Sequence, residues 1–307
     1  MNTLNETIKS IVNGKGSKAM KTAALIKLGI RAHEMPIIFS TFAMPVAPRV
    51  SRIFNRTFGL EIECDCNYHI VRSDSVNFQY MGYTHEVMRD VFKFVTDSSV
   101  EGAHAIECVS PVLSGNDGHA KVKACVKALK DAGGRVNNSC GLHVHIGAGD
   151  LTSEQYANVF ANYMFLENVI DTFMARSRRG NNCHWCKTLK GRGVENAHNM
   201  SDIYNCFGAT FYGEGNFPHR YERGCQRYFK VNCLSWIKYK TIEFRQHGGS
   251  LNATKINNWV KFLVKLVEWS KDNRLSAYVN SIDEIPFLTA TEKRYFGGRV
   301  NELAEAA

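Results

Sequence analysis

Long apolar runs are missing from this 307-residue sequence, and so is any block of basic residues. The apolar stretch from Met35 to Val46 is interrupted by Pro36 and Pro45 and is too short to span a bilayer. The polar stretch from Met1 to Lys15 has no apolar centre of the kind that a signal peptide needs. These absences predict a cytoplasmic protein with no membrane partner.

Regularly spaced cysteines are also missing, although the chain has ten of them. A secreted, disulfide-rich scaffold is therefore not expected, and the thiols are predicted to be reduced. Cys183 and Cys186 form a close pair that could contribute to a structural zinc site. Cys206 and Cys225 do not supply the second close pair of a zinc ribbon, so zinc is the less favoured interpretation.

The formal net charge of +9 indicates an acidic partner but does not identify it. Lysine and arginine are scattered along the chain, which argues against a dedicated nucleic-acid arm. Binding to nucleic acid nevertheless remains open at this level, beside a phosphorylated ligand.

Apolar periodicity divides the chain into three segments. Residues 1–52 predict an N-terminal helical extension and connector, 53–275 a compact catalytic domain, and 276–307 a C-terminal helical segment. Within the middle segment, residues 177–226 are rich in Gly, Asn, Arg and His and predict a long loop or insertion. Strands that are joined sometimes by helices and sometimes directly predict an α+β domain with a mainly antiparallel sheet.

The strand and helix patterns give approximate positions for the elements. Strands are predicted at Phe58–Cys66, Ala103–Ser110, Leu142–Gly147, Tyr228–Leu234 and Lys240–His247. Helices are predicted at Thr84–Asp97, at His119–Ala132, from a capping box at Thr152 to about Ala175, around Ile256–Val267, and at the C-terminus.

Charged and histidine side chains alternate along three of these strands. Side chains two positions apart share a face of a strand. The sets that share a face are Glu61 with Glu63, His143 with His145, and Glu243 with Arg245 and His247. A half-buried strand with a solvated face also alternates, but its wet side is usually filled by Thr, Ser, Lys and Gln.

A fourth carboxylate, Glu107, belongs to another strand. Four carboxylates on one sheet face repel each other unless a cation neutralises them. Glutamate together with histidine suits Mg²⁺ or Mn²⁺ better than a closed zinc site. These residues therefore predict one metal-binding active site.

Four motifs carry a family resemblance. They are Gly59-Leu-Glu-Ile-Glu63, Glu107-Cys-Val-Ser-Pro111, Cys140-Gly-Leu-His-Val-His145 and Thr241-Ile-Glu-Phe-Arg-Gln-His247. In this order they resemble the motif series of the amidoligases, within the carboxylate–amine ligase superfamily of glutamine synthetase and glutamate–cysteine ligase. The resemblance covers about Thr57 to Trp269. It implies a glutamine-synthetase-like domain, with a curved sheet and helices packed on one face.

The resemblance also implies roles for individual residues. Metal ligands are implied at Glu61, Glu63, Glu107, His143 and Glu243. Catalytic roles are implied for Arg245, Glu243 and His145, with Arg245 steadying a transferred phosphoryl group. Contacts to ATP or substrate are implied for Asn138, Gly141, His145, Arg178, Arg179, Arg227, Asn232, Arg245 and His247.

The implied reaction joins a carboxylate substrate to an amine in an amide or isopeptide bond, using ATP and Mg²⁺ or Mn²⁺. Because a carboxylate oxygen is a poor leaving group, phosphoryl transfer from ATP would first make an acyl phosphate. Two alternatives stay open. A His-x-His strand also occurs in metal-dependent hydrolases, and a non-catalytic binding protein could keep the same scaffold.

Overall fold

The computed structural model describes residues 2–13, 18–35, 38, 55–208, 211–212, 220–221 and 227–305. The chain divides into two compact units, Met1–Ala47 and Pro48–Ala307. Most of the predicted connector from His33 to Arg52 lies outside the described residues, as do parts of the predicted 177–226 loop. Over the described ranges, none of the helices combines the length and the apolar character needed to cross a membrane.

The N-terminal unit is helical, as its apolar spacing predicts. Its elements are α1 (Asn2–Asn13), α2 (Lys18–Lys27) and a 3₁₀ turn (Ala32–Glu34). Ile8 and Val12 are four residues apart and therefore share a face of α1. Together with Leu25 of α2 and with Met35, they form a small buried apolar cluster.

A seven-stranded sheet organises the second unit. The strands of this unit are β1 (Phe58–Asp65), β2 (Asn77–Tyr80), β3 (Val91–Val95), β4 (Ala105–Val109), β5 (Gly141–Gly147), β6 (Phe211–Tyr212), β7 (Arg220–Tyr221), β8 (Val231–Asn232) and β9 (Thr241–Gly248). The order in the sheet is β2-β3-β4-β1-β5-β9-β8, while β6 pairs with β7. Neighbours in the sheet run antiparallel except β2 and β3. The predicted α+β class with a mainly antiparallel sheet is confirmed.

The helices of this unit are α3 (Gly115–Asp131), α4 (Ser153–Thr172), α5 (Met200–Cys206), α6 (Ser235–Tyr239), α7 (Ala253–Trp269) and α8 (Ala290–Glu305). The predicted capping box opens α4: the Thr152 hydroxyl accepts from the Gln155 amide at 3.1 Å, and Gln155 Oε1 accepts from the Thr152 amide at 3.0 Å. Because these bonds satisfy two amides at the helix end, the sequence locates the start of α4 correctly.

Strand alternation separates the sheet into an apolar side and a polar side. On β1, Leu60, Ile62 and Cys64 are buried in the main core. Helix α3 reaches this side where Cys125 Sγ lies 3.7 Å from Cys108 Sγ. Helix α4 reaches it where the Tyr163 and Phe244 rings are 5.5 Å apart. Helices α3 and α4 therefore cover the apolar side, and the acidic and histidine residues lie on the other.

The predicted helix from Thr84 to Asp97 is wrong. Its second half is the strand β3, which pairs with β4 through Lys93↔Val109 and Val95↔Glu107. The strand contains Val91, Phe92, Phe94 and Val95, which are β-branched or aromatic residues that fit a sheet better than a helix. Strand β2, which pairs with β3, was not predicted either.

The 177–226 segment is more structured than a loop in its described part. It contains 3₁₀ turns at Arg176–Arg178 and Val194–Asn196 as well as α5. Met200, Ile203 and Tyr204 are buried and recur at helical spacing, which is a sequence signal for α5. Residues 209–210, 213–219 and 222–226 lie outside the described residues.

Candidate active site

The first group of potential ligands comes from three neighbouring strands. Glu61 of β1 lies opposite His143 of β5, and Glu243 of β9 lies opposite His145. Glu61 Oε2 is 2.9 Å from His143 Nδ1, and Glu243 Oε1 is 3.8 Å from the same nitrogen. Glu61, His143 and Glu243 each offer one atom within 4.8 Å of the others, which is close enough to share a metal ion.

The second group lies along the same sheet face. Glu63 of β1 is opposite Glu107 of β4, and Glu107 is opposite Val95 of β3. Asp97 follows two positions after Val95, and it joins Glu63 and Glu107 in a set whose carboxylate oxygens lie within 4.8 Å of one another. Asp97 is not among the residues predicted for the site, because it was included in the predicted helix from Thr84 to Asp97.

His145 lies beside the first group and is held from both ring nitrogens. Its Nδ1 lies 3.0 Å from Thr241 Oγ1 and its Nε2 lies 3.2 Å from Glu61 Oε1. Burial lowers the pKa of His145, but the adjacent Glu61 carboxylate outweighs burial and raises it overall. The imidazole is therefore fixed in orientation and favours its protonated form.

Arg245 is oriented by groups on both sides of its guanidinium. Its Nη1 donates to Glu243 Oε1, and its Nε donates to the Trp185 carbonyl at 3.2 Å. The other oxygen of Glu243 accepts from Asn232 Nδ2 at 2.6 Å. Because β8 pairs Asn232 directly with Glu243, the carboxylate is held by two donors.

The charges of the two groups affect each other's ionisation. Burial opposes ionisation of Glu61, but His145 and His143 hold its pKa well below the usual range. Burial raises the pKa of Glu107 well above its usual range, and repulsion from Glu61 and Glu63 adds to this. A carboxylate in this position would gain most from a cation.

Gly141 shapes the site through its backbone. Its amide donates to Glu63 Oε2, which orients this carboxylate. A Cβ at Gly141 would lie 3.1 Å from His143 Nε2 and 3.3 Å from Glu63 Oε2. Glycine therefore lets the backbone approach the ligand side chains closely.

The other residues predicted to contact ATP or substrate lie in varied surroundings. Arg178 is buried and donates from Nη2 to the Cys140 carbonyl at 2.6 Å. Arg179 donates from Nε to the Met174 carbonyl at 2.8 Å. Asn138 and Arg227 are exposed. Arg178 therefore contacts the segment that carries Gly141.

His247 does not share the face of Glu243, contrary to the prediction. Strand β9 carries a bulge, so Val144 pairs with Phe244 but Leu142 pairs with His247. One extra residue in β9 therefore turns His247 toward the helix side, where its ring centroid lies 6.1 Å from that of Trp259. This location removes His247 from the candidate site.

The environment of His247 predicts acid sensitivity. Burial lowers its pKa to about 4, whereas an unfolded histidine titrates near ~6.5. At a pH between these two pKa values, the unfolded chain binds a proton that the folded chain does not. The free energy of unfolding is therefore highest above the unfolded pKa and decreases as the pH falls toward the folded pKa. From pH 7 to pH 5, we expect the wild-type free energy of unfolding to fall by about 1 to 2 kcal/mol more than that of His247→Gln. Urea denaturation of both proteins at the two pH values measures this difference, and equal losses would contradict the assignment.

A cavity of about 750 Å³ adjoins the two ligand groups. Glu61, Glu107 and His145 form part of its wall, and so do Arg56 and Lys93. Its volume falls within the range of roughly 300 to 1,000 Å³ that is common for small-molecule sites. The cavity gives the polar face room for a ligand beside the potential metal ligands.

Lys93 is a wall residue that the sequence analysis missed. It is only 4% exposed, and burial lowers its pKa. Its Nζ donates to the carbonyls of Thr84 at 2.9 Å and Glu86 at 2.6 Å. Lys93 therefore ties the segment before β3 to the cavity wall.

Comparison with known proteins identifies the family. A family described as "Putative amidoligase enzyme" matches residues 54–267. The chain belongs to this amidoligase family. The match confirms the resemblance carried by the four motifs, and it includes every strand of the seven-stranded sheet as well as Asp97 and Lys93.

Two further comparisons add little to the family assignment. No curated protein matches the chain. A bifunctional glutathione synthetase from Pasteurella multocida is a structural neighbour with 11% sequence identity and a TM-score of 0.32. The alignment covers 81% of this chain and 41% of the synthetase chain, so this amidoligase spans less than half the length of that neighbour.

Proposed function

We propose that this amidoligase is an ATP- and Mg²⁺-dependent carboxylate–amine ligase that acts through an acyl phosphate. The observation that carries the proposal is the pair of three-residue ligand groups on one sheet face, beside a cavity. Glu61, His143 and Glu243 form one group, and three carboxylates form the other. A glutamine-synthetase-like scaffold is part of the proposal, supported by the mainly antiparallel sheet with α3 and α4 on the side opposite the ligand groups.

The donor set fits divalent cations. The second group, Glu63, Asp97 and Glu107, offers only carboxylate oxygens, which are hard ligands suited to Mg²⁺ or Mn²⁺. The raised pKa of Glu107 reflects burial and carboxylate crowding, which a bound cation would relieve. When bound, divalent ions supply charge neutralisation for phosphoryl transfer.

The chain's own residues would divide the remaining work. Arg245, held by Glu243 and the Trp185 carbonyl, is the residue we assign to steadying the transferred phosphoryl group. His145, held between Thr241 and Glu61, lies on the cavity wall, and we assign it a contact to the nucleotide phosphates. Asn232 keeps Glu243 in place, and Gly141 keeps Glu63 in place. The carboxylate and amine substrates would enter the adjoining cavity.

An isotope experiment tests this function. Purified protein is incubated with ATP, Mg²⁺ or Mn²⁺, a panel of amines, and carboxylic acids labelled with ¹⁸O in the carboxyl group. An acyl phosphate requires one labelled oxygen to pass into inorganic phosphate when the amine attacks. We expect labelled phosphate and an amide product only with ATP, metal, acid and amine together.

Two outcomes would contradict the proposal. Absence of nucleotide binding in the presence of Mg²⁺ and Mn²⁺ would exclude an ATP-dependent ligase. Hydrolysis without ATP, together with stoichiometric and tightly held zinc, would instead support a metal-dependent hydrolase.

A further inference from the structure

Cys183 and Cys186 close a tight turn in the segment after α4. The Cys186 amide donates to the Cys183 carbonyl at 3.4 Å, an i to i+3 bond typical of a β-turn. Cα atoms at the ends of a β-turn lie less than about 7 Å apart, which overlaps the separation that a disulfide spans. Both thiols are free, with Cys183 half-buried and Cys186 buried. A disulfide can therefore form here with little movement of the main chain.

Zinc does not explain the pair in the described part of the chain. The two groups of at least three potential ligands found there are the carboxylate and histidine groups of the active site, and neither contains Cys183 or Cys186. Cys206 belongs to neither group, and Cys225 lies outside the described residues. The less favoured zinc interpretation thus lacks a third ligand among the described residues.

The surroundings of the two thiols make them chemically different. Arg178 Nη1 lies 3.5 Å from Cys183 Sγ. The neighbouring Cys186 thiol and the positive charge of Arg178 lower the pKa of Cys183 to about 5 against the effect of burial. The interaction between the two thiols raises the pKa of Cys186. The half-buried Cys183 is therefore the more acidic thiol of the pair, and the buried Cys186 is the less acidic one.

The turn is joined to the active site on two sides. Arg178, which lies beside the Cys183 sulfur, also donates to the Cys140 carbonyl at 2.6 Å. The next residue, Gly141, donates its amide to Glu63. Within the turn itself, the Trp185 carbonyl accepts from Arg245 Nε at 3.2 Å. A change of bonding in the turn would therefore act on groups that orient both a potential metal ligand and Arg245.

We propose that Cys183 and Cys186 form a thiol–disulfide exchange site that reacts with small-molecule disulfides and that its oxidation lowers the activity of the adjoining active site. The second half of this proposal rests on the ligase function proposed above. The first half, the exchange itself, does not.

The exchange balances with a small disulfide, RSSR, as the oxidant. The Cys183 thiolate attacks one sulfur of RSSR, a mixed disulfide forms, and RS⁻ leaves. Cys186 then attacks the Cys183 sulfur, the internal disulfide forms, and the second group leaves as RSH with the proton of Cys186. Two protein sulfurs lose two electrons in total, and RSSR gains them. The negative charge beside Arg178 is lost in the product.

The exchange is tested with 2-hydroxyethyl disulfide and the folded, full-length chain. After alkylation of remaining thiols, trypsin releases residues 180–187, a single peptide that contains both cysteines. We expect this peptide to lose two hydrogen atoms in the wild type. Cys186→Ser should stop at a mixed disulfide on Cys183, and Cys183→Ser should stay unmodified. Cys206→Ser is the matched control, since burial raises the pKa of this half-buried thiol, and it should behave as the wild type.

The rate of alkylation gives a second readout. At pH 6, the thiolate fraction of a thiol with a pKa of about 5 is roughly 300 times that of an ordinary thiol. Its thiolate is intrinsically less nucleophilic by roughly 40-fold, which offsets part of this gain. We therefore expect iodoacetamide to label Cys183 roughly tenfold faster than an unperturbed thiol. Equal labelling rates, or a wild-type peptide that keeps both hydrogens, would overturn the exchange site.

The effect on the active site is measured as the ratio of ATP turnover before and after oxidation. We expect turnover to fall several-fold on oxidation and to return with dithiothreitol, whereas the Cys183→Ser/Cys186→Ser protein should give a ratio near one. An unchanged ratio in the wild type, despite a closed disulfide, would overturn the coupling. If the protein shows no ATP turnover, the ligase proposal fails, but the peptide masses still show whether the thiol–disulfide exchange occurs.

Discussion

Replacing Glu61 with glutamine should reduce metal- and ATP-dependent turnover by roughly 100- to 1,000-fold, the usual loss when a charge-stabilising group is removed from an active site. Glu61 belongs to the first ligand group and contacts both His143 and His145. Glutamine keeps the shape of the side chain but removes its negative charge. Steady-state kinetics with saturating Mg²⁺ or Mn²⁺ measure the loss.

The same substitution should also weaken the metal-free fold. Burial opposes ionisation of Glu61, but His145 and His143 hold its pKa well below the usual range, so the ionised carboxylate stabilises the folded state at neutral pH. Glutamine removes this interaction, and we expect the melting temperature of the metal-free protein to fall. Turnover is therefore compared at a temperature at which circular dichroism shows both proteins folded, and its loss there would separate a functional role from a structural one.

Glu154→Gln is a matched control, because Glu154 is exposed in the first turn of α4 and lies outside both ligand groups. It should leave turnover within about twofold of the wild type, as surface substitutions usually do. Unchanged turnover or ligand affinity in Glu61→Gln would instead favour a non-catalytic binding protein on this scaffold.

Strand alternation predicted much of the candidate site from sequence. Glu61, Glu63, His143 and His145 could be assigned to faces because the period of a strand is two and their strands are regular where these residues lie. The register between the strands, which brings Glu61 opposite His143, was not predictable from alternation. Pairing depends on contacts between segments about 80 residues apart, and a local pattern contains no information on them.

The incorrect and missing residue predictions also have local causes. His247 was assigned to the face of Glu243 because a regular strand was assumed, and the bulge in β9 inserts one residue between them. A bulge has no reliable sequence signal, since it depends on the partner strand. Lys93 was missed because its segment was assigned to a helix, where a lysine is ordinarily a solvated side chain. In the sheet, the same residue is buried on the cavity wall.

The incorrect helix prediction for Thr84–Asp97 also explains why Asp97 was not predicted as a ligand. If β3 is continued at a period of two, Lys93, Val95 and Asp97 fall on one side, which is the side of Glu107. Correct assignment of this strand would therefore have indicated a third carboxylate beside Glu63 and Glu107. The residue lies two positions after Val95, the last residue of β3, and completes the second ligand group.

Asp97→Asn should remove one of two bound ions. The substitution keeps the size of the side chain and takes one charge from the second group, while Glu61, His143 and Glu243 remain intact. We expect the Mn²⁺ stoichiometry, measured by calorimetry and by electron paramagnetic resonance, to fall from about two to about one per chain. Turnover should fall by roughly 100-fold, because one of the two charges that neutralise the phosphoryl group is lost.

The complementary variant is Glu243→Gln, which removes a ligand from the first group and should also leave about one Mn²⁺ per chain. The remaining ion should differ between the two variants, because the first group contains a histidine nitrogen and the second only carboxylate oxygens. Nitrogen hyperfine coupling to Mn²⁺ should therefore persist in Asp97→Asn and disappear in Glu243→Gln. Asp131→Asn, at the exposed end of α3, serves as the control and should bind both ions. Two ions in Asp97→Asn, with unchanged turnover, would contradict the role of Asp97 as a ligand in the second group. A single ion in the wild type would instead leave Glu61, His143 and Glu243 as one metal centre.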